Sequence, residues 1–434
     1  MIQPISSTVN ADGHLVIGGC DSVELAKQYG TPLYVLDIDT IRDRVHQYQS
    51  IQAKYPHVRI AYASKALSLT ALYEWLAKEG LYFDVVSDGE LFTLRHAGVP
   101  ASRAYFHGNN KTFDELRYAL KEGIGCIVVD NEAELDRIGV VHKELGLIRP
   151  VDILIRVVPE LEAHTHEFIR TGQRDTKFGV HMELLPALVE GIKKRPYLHL
   201  KGLHAHIGSQ IFDLTPYDVL IERLMDLSMS LYQSYGVVME EMSVGGGIGI
   251  PYTADDHLPD IQSFMEDIAS AMTNYVRKIN YPINPVLVLE PGRSLIANAG
   301  VTLYSVGGVK AIPAGRTFVS VDGGMADNPR PITYDAPYSA DIANKMNKAK
   351  AHVYTVSGKF CESGDILIQE ASLPEVEVAD TLVVYATGAY NYSMSSNYNR
   401  FRKPAMVMVE KGHSTLVLKR ETLEDIIRND AHLD

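Results

Sequence analysis

Six groups of residues in this 434-residue chain stand where they could do chemistry. In RIAYASKALS (59–68) an apolar run of aromatic and branched residues ends on Lys65, whose amine is costly to bury and nucleophilic once deprotonated. In SVGGGIGIPY (243–252), Gly245, Gly246 and Gly247 leave backbone amides bare for close approach to an anion. EPGR (290–293) sets Glu290 beside Gly292 and Arg293, and HAHIGS (204–209) carries His206 and Ser209. Asp84 and Glu90 sit in and after FDVVSDGEL, and His107 and Asn109 lie in FHGNN.

These groups are spread over more than 200 positions, so a scaffold must gather them. Eight short apolar runs do so: VRIAYA (58–63), LYFDVV (81–86), RAYFHG (103–108), CIVVD (126–130), VDILIRVV (151–158), LKGLHAHI (200–207), EMSVGG (241–246) and VLVLE (286–290). Between them lie stretches such as TFDELRYALKEG, with apolar residues three and four apart and a glycine near the stop. Eight such alternations predict a (β/α)8 barrel over residues 36–296, whose C-terminal strand ends form one face where catalytic groups collect. Every group named above follows, or ends, one of the eight runs.

After residue 296 the period changes to two. VTLYSVGGVKAI, RTFVSVDGG, AHVYTVSG, DILIQE, TLVVYATGAY, AMVMVE and STLVLKR read as antiparallel strands with Gly, Pro and Asp in the turns. They predict a second, mostly antiparallel β domain over 297–434, joined by residues 1–35 with the strand HLVIGG.

Composition narrows the function classes. Of the residues, 46% are hydrophobic and 22% charged, which suits globular domains with real cores. No segment has the unbroken apolar length of a membrane span and the N-terminus has no signal-peptide pattern, which predicts a cytoplasmic protein. A net charge of −13 without a Lys/Arg block argues against nucleic acid or an anionic membrane as partner. Cys20, Cys126 and Cys361 are odd in number and lack CxxC spacing, so neither a disulfide framework nor a metal site is expected. Each reads as a small buried residue.

The glycine cluster admits a tight turn or a phosphate site. Its place after the seventh strand, with EPGR after the eighth, favours phosphate, since barrels often hold one there. No βαβ unit with an acid about 20 residues on follows it, which disfavours a dinucleotide. An amine for an aldehyde, a phosphate cradle, a strand-end carboxylate and a histidine across the site are what pyridoxal 5'-phosphate requires. Glu290 would keep the pyridine nitrogen protonated and His206 would lie against the ring. His206 also admits a structural role as a core histidine, and Asp84 and Glu90 could be structural acids pairing with helix ends or with Lys/Arg as well as groups that tune the amine.

YASKA, FDVVSDGEL, FHGNNKT, HAHIGSQ, GGGIGIPY, EPGRS, VDGGM with RPITYDAPY, CESGD and GAYNYSMSSNYNRFRKP occur in one order across residues 20–410. In that order and spacing the chain resembles the diaminopimelate decarboxylase family, fold-type III pyridoxal-phosphate enzymes related to ornithine and arginine decarboxylases and, more distantly, to alanine racemase. The resemblance implies an alanine-racemase-like barrel with a β domain, decarboxylation of meso-2,6-diaminopimelate to L-lysine in lysine biosynthesis, and a homodimer with shared active sites. It implies that Lys65 bonds the cofactor aldehyde, that His206 stacks on the ring, and that Glu290 partners the ring nitrogen. Ser209, Gly245, Gly246, Gly247 and Gly292 would line the cofactor, with Asp84 near the amine and Tyr390 closing the phosphate site. Arg293, Arg330, Tyr334 and Tyr390 would grip the substrate. Cys361 would protonate the carbanion from the second subunit, with Glu362 and Ser363 at the substrate's distal end. The segment 161–179 resembles the family's mobile loop and would act as a lid. The competing readings are a related decarboxylase of ornithine, arginine or a carboxylated polyamine, and a non-catalytic pyridoxal-phosphate carrier.

Overall fold

The computed structural model describes residues 2–159, 176–256 and 260–433. Backbone contacts divide the chain into two units: Val45–Gly249 with Pro259–Gly292, and Met1–Arg44 with Ile250–Leu258 and Arg293–Asp434.

The first unit is a closed barrel of eight parallel strands: β1 (Val58–Ala63), β2 (Tyr82–Val85), β3 (Ala104–Phe106), β4 (Cys126–Val129), β5 (Val151–Val158), β6 (Leu198–His204), β7 (Glu241–Ser243) and β8 (Val286–Leu289). Each pairs in parallel with the next, and β8 returns to β1 through Leu287↔Val58 to Leu289↔Ile60. The strands read as nearly continuous apolar runs because barrel strands are covered on both faces. The helix Phe113–Lys121 shows how sequence sets the outer layer. Thr112 and Glu115 form a reciprocal cap, Leu116, Ala119 and Leu120 are buried, and Gly123 turns the chain away at φ +75°. Burying each of those leucines stabilises the packing by about 1.5–3 kcal/mol. No helix among the described residues is long and apolar enough to cross a membrane.

The second unit is built on a mixed sheet, ordered Ile366–Leu373, His352–Ser357, Thr317–Val321, Gly300–Ala311, Leu33–Asp37, Ala405–Glu410 and His413–Leu418. Thr381–Tyr385 pairs with both Gly300–Ala311 and Ala340–Ile342. Most pairings are antiparallel, but two are parallel: Thr317–Val321 with His352–Ser357, and Leu33–Asp37 with Ala405–Glu410. The expected strand HLVIGG is present as Leu15–Ile17, and its side chains join Leu33, Val35, Val301, Val383 and Val407 in one core.

Candidate active site

In the barrel unit the sequence-selected groups fall at the C-terminal strand ends. Lys65 lies on the single turn Ser64–Ala66 directly after β1, its side chain exposed. Asp84 is inside β2 and 2% exposed, and Glu290 directly follows β8 at 6%. His206 and Ser209 lie in the loop after β6, with Ser209 exposed. Glu90 accepts the Val86 N–H at 2.8 Å, so it ties down the loop before its own helix.

Glu290 is the centre of the cluster. Its Oε1 accepts the Ser243 hydroxyl at 2.7 Å and its Oε2 lies 3.1 Å from His204 Nε2. His107 Nε2 stands 3.5 Å from Glu290 Oε1 and 3.6 Å from Asp84 Oδ1. Burial alone would raise the Glu290 carboxyl, but His204, His107 and the bonds from His204 and Ser243 hold it well below its ordinary range. Asp84 goes the other way: burial, with Glu290 and Glu90 nearby, pushes it well up against the pull of Lys65. Burial also depresses His206 and His107 far enough to keep both imidazoles neutral, and Lys65 and Arg156 add to the effect on each. Two neighbouring carboxyl groups with opposite shifts are a mark of acid and base assignments in catalytic sites.

The glycine run after β7 has no room for side chains. A Cβ on Gly246 would meet the Glu290 carbonyl oxygen at 2.1 Å, one on Gly245 would meet His206 Nδ1 at 2.7 Å, and one on Gly247 would meet the Gly208 carbonyl oxygen at 2.5 Å. Gly245 and Gly247 also have φ of +71° and +116°. Gly292 packs within 3.0 Å, measured the same way, of the Ala63 methyl. Among the described residues, Asp84 Oδ1, His107 Nε2 and His204 Nδ1 are buried polar atoms without a hydrogen-bond partner. Orphaned atoms around an ionised acid, beside a bare-backbone cradle and a lysine, fit a cationic ring nitrogen, a phosphate and an aldehyde, the three handles of pyridoxal phosphate.

The second unit gathers a different set. Tyr252 Oη accepts from Arg293 Nη1 at 2.5 Å and Arg330 Nη1 at 3.1 Å, and the Arg293 guanidinium lies 4.8 Å from the centre of the Tyr390 ring. Arg330 opens the short helix Arg330–Tyr334 and is buried, with Tyr334 exposed at the helix end. Its guanidinium packs on Tyr252, Tyr334 and Tyr390. Among the described residues it has no carboxylate partner, and its Nε is buried without a hydrogen bond. A guanidinium held by aromatic rings with donors to spare is suited to gripping a carboxylate.

Cys361, Glu362 and Ser363 lie in an exposed turn after the strand His352–Ser357. Cys20 and Cys126 are buried as expected, whereas Cys361 is exposed, which corrects its reading as a buried residue. Asp365 folds the turn by accepting the Phe360 N–H at 2.9 Å and the Met325 N–H at 2.7 Å, and the Cys361 N–H reaches Asn399 Oδ1 at 2.9 Å. Of the expected lid, residues 161–175 lie outside the described residues.

Three participants escape the sequence reading. His204 sits two residues before His206, Tyr252 ends the glycine motif, and Arg156 is on β5. Burial depresses the Arg156 guanidinium while Asp130, Glu290 and Asp84 pull it back. A single basic charge within the apolar run VDILIRVV is the signal for Arg156.

Residues 39–297 match the family model for the pyridoxal-binding domain of pyridoxal-dependent decarboxylases. The chain is 47% identical to the diaminopimelate decarboxylase of Synechocystis sp., over 99% of this chain and 92% of that one. It is 45% identical to that of Bacillus subtilis, over 98% and 97%. Its fold matches the crystal structure of M. jannaschii diaminopimelate decarboxylase in complex with L-lysine at a TM-score of 0.92 and 34% identity, covering 100% of this chain and 99% of that one. The chain belongs to the diaminopimelate decarboxylase family of pyridoxal-phosphate-dependent carboxy-lyases.

Proposed function

We propose that the chain decarboxylates meso-2,6-diaminopimelate to L-lysine and CO2, the last step of lysine biosynthesis, as a cytoplasmic homodimer. Kinship over the full length with diaminopimelate decarboxylases carries this reading. One C–C bond breaks, CO2 leaves, and one proton takes its place at Cα. Bound pyridoxal phosphate supplies the electron sink for the pair left behind.

The chain's residues then divide the remaining work. Lys65 Nζ binds the cofactor aldehyde carbon, and the ionised Glu290 keeps a proton on the ring nitrogen. His206, kept neutral by burial, would lie against the ring face without competing for that proton. Backbone amides of Gly245, Gly246 and Gly247, with Ser209, bind the phosphate, Gly292 lets the backbone close in, and Tyr390 covers the phosphate. Asp84 adjusts the charge around Lys65. Arg293 and Arg330, with Tyr334 and Tyr390, hold the substrate's carboxylates. Cys361 Sγ delivers the proton to Cα, and Glu362 and Ser363 bind the distal amino-acid end, all three supplied by the second copy of the chain.

The test is product analysis with meso-diaminopimelate, its LL isomer, ornithine, arginine and lysine, using Lys65→Ala as control. Lysine and CO2 from the meso compound alone, with no turnover by the control, is the expected result. Turnover of ornithine or arginine instead would overturn the substrate. Cofactor binding without any turnover would leave a carrier.

A further inference from the structure

We propose that His204 and His107 are positioning residues that act through Glu290: together with Ser243 they fix its carboxylate so that it meets the cofactor's ring nitrogen as an oriented anion. This rests on the reading of Glu290 as the partner of that nitrogen, and assigns work to two imidazoles that touch neither reacting atom.

Geometry carries the argument. A carboxylate has two oxygens and about four lone-pair sites, and its rotation is arrested only when both oxygens are held. Ser243 holds Oε1 at 2.7 Å and His204 approaches Oε2 at 3.1 Å, so one anchor acts on each. The two imidazoles pack edge to face, 4.9 Å between centres at 74°, so neither ring turns without moving the other. His107 is fixed at both ends of its loop. Its N–H donates to the Val85 carbonyl at 2.8 Å, and four residues on, Lys111 Nζ binds Gly108 O at 2.9 Å, Val128 O at 2.8 Å and Glu134 Oε1 at 2.7 Å, with Lys111 and Glu134 both buried. An ion pair so deep inside is costly to desolvate, and here it holds the loop that carries His107.

That loop sets His107 Nε2 between two carboxyl groups, 3.5 Å from Glu290 Oε1 and 3.6 Å from Asp84 Oδ1. His107 makes no hydrogen bond to either oxygen, and its ring contributes by packing on His204 and by its proximity to the Ser243 side of Glu290. A preorganised anion costs no rearrangement when the ring nitrogen arrives, which is how buried electrostatic sites gain affinity.

The experiment compares wild type, His204→Leu, His204→Gln and His107→Leu, each stripped of cofactor and titrated with pyridoxal phosphate and with its 1-deaza analogue, in which CH replaces the ring nitrogen. Binding is followed by cofactor absorbance. His204→Leu should weaken pyridoxal phosphate about tenfold or more, the loss of a charge-assisted hydrogen bond. His204→Gln retains an N–H donor and should recover most of the loss, and His107→Leu should lose less, in the same direction. With the deaza analogue all four proteins should bind within about twofold of one another. Equal losses for both cofactors would show a merely structural role and overturn the proposal, as would an unchanged affinity in His204→Leu. A wild type that does not prefer the nitrogen-bearing cofactor would instead overturn the reading of Glu290 itself.

Discussion

At the N-terminal mouth of the barrel, Glu241 is buried and receives Arg59 Nη1 at 2.6 Å, Lys201 Nζ at 3.0 Å and the Tyr105 hydroxyl at 2.9 Å. At the C-terminal mouth Glu290 is buried too, yet the polar atoms around it include Asp84 Oδ1, His107 Nε2 and His204 Nδ1, none of which has a hydrogen-bond partner among the described residues. The lower mouth also opens on a cavity of about 920 Å³ lined by Arg59, Tyr82, Tyr105, Asp152, His199 and Lys201 among others. A roomy cavity lined by charges therefore does not by itself mark the site. What separates the two mouths is satisfaction: below, each charge meets its opposite, while above, hydrogen-bonding capacity is left over for something else.

Removing one member of the satisfied network should have the largest effect on stability. Glu241→Leu leaves Arg59 without its carboxylate and Lys201 with only Asp152, 3.5 Å away, and should cost about 3–5 kcal/mol in denaturant unfolding. Turnover by the fraction that stays folded should be unchanged. A loss of kcat at full stability would break the contrast, because the lower mouth would then take part in the chemistry.

The same contrast sorts the arginines. Arg59 is paired with a carboxylate, whereas buried Arg330 sits among tyrosines with Nε unsatisfied. Arg330→Met should therefore barely move the unfolding midpoint. It should lower kcat/KM for the substrate through KM, by about 1.5–3 kcal/mol, or some ten- to hundredfold. Steady-state kinetics beside a melt would decide it, and a large fall in stability with an unchanged KM would place Arg330 with Arg59 as a structural ion.

Much of this contrast was legible from the chain. The eight barrel strands were readable because burial on both faces writes them as apolar runs, and Lys65, Asp84 and Glu290 stood out as charges inside or directly after those runs. Gly245 to Gly247 stood out because only a backbone meant to be approached dispenses with three side chains in a row. His204 was not readable, since a histidine inside LKGLHAHI looks like any strand residue until its partner, 86 positions on, is in place. Nor could period-two runs disclose the two parallel pairings of the second sheet. The partner of Leu33–Asp37 lies some 370 residues further along, and pairing direction leaves no mark on alternation. Cys361 was misread because CESGD follows an apolar strand, while Asp365 turns the backbone outward there by capping its N–H groups.

The smallest effect tests the electrostatic split at the upper mouth. Asp84 is raised, so in the cofactor-free protein it stays protonated after an unfolded Asp has ionised near pH 3.9. The folded state then holds the extra proton, and the stability Asp84 contributes is complete below that pH and is lost as pH rises toward its folded value. An amide in its place is neutral at every pH, so Asp84→Asn should gain on wild type as pH rises above about 3.9. Glu290 is lowered, and its contribution is present above the unfolded value near 4.3 and lost as pH falls through the folded one. Glu290→Gln should accordingly fall behind wild type as pH rises out of the acid range. Opposite slopes for the two variants in pH-resolved thermal unfolding mean that one acid is held neutral and the other charged. Slopes of the same sign would mean that the two carboxyls share a single environment, and the upper mouth would then lack the asymmetry on which a protonated ring nitrogen depends.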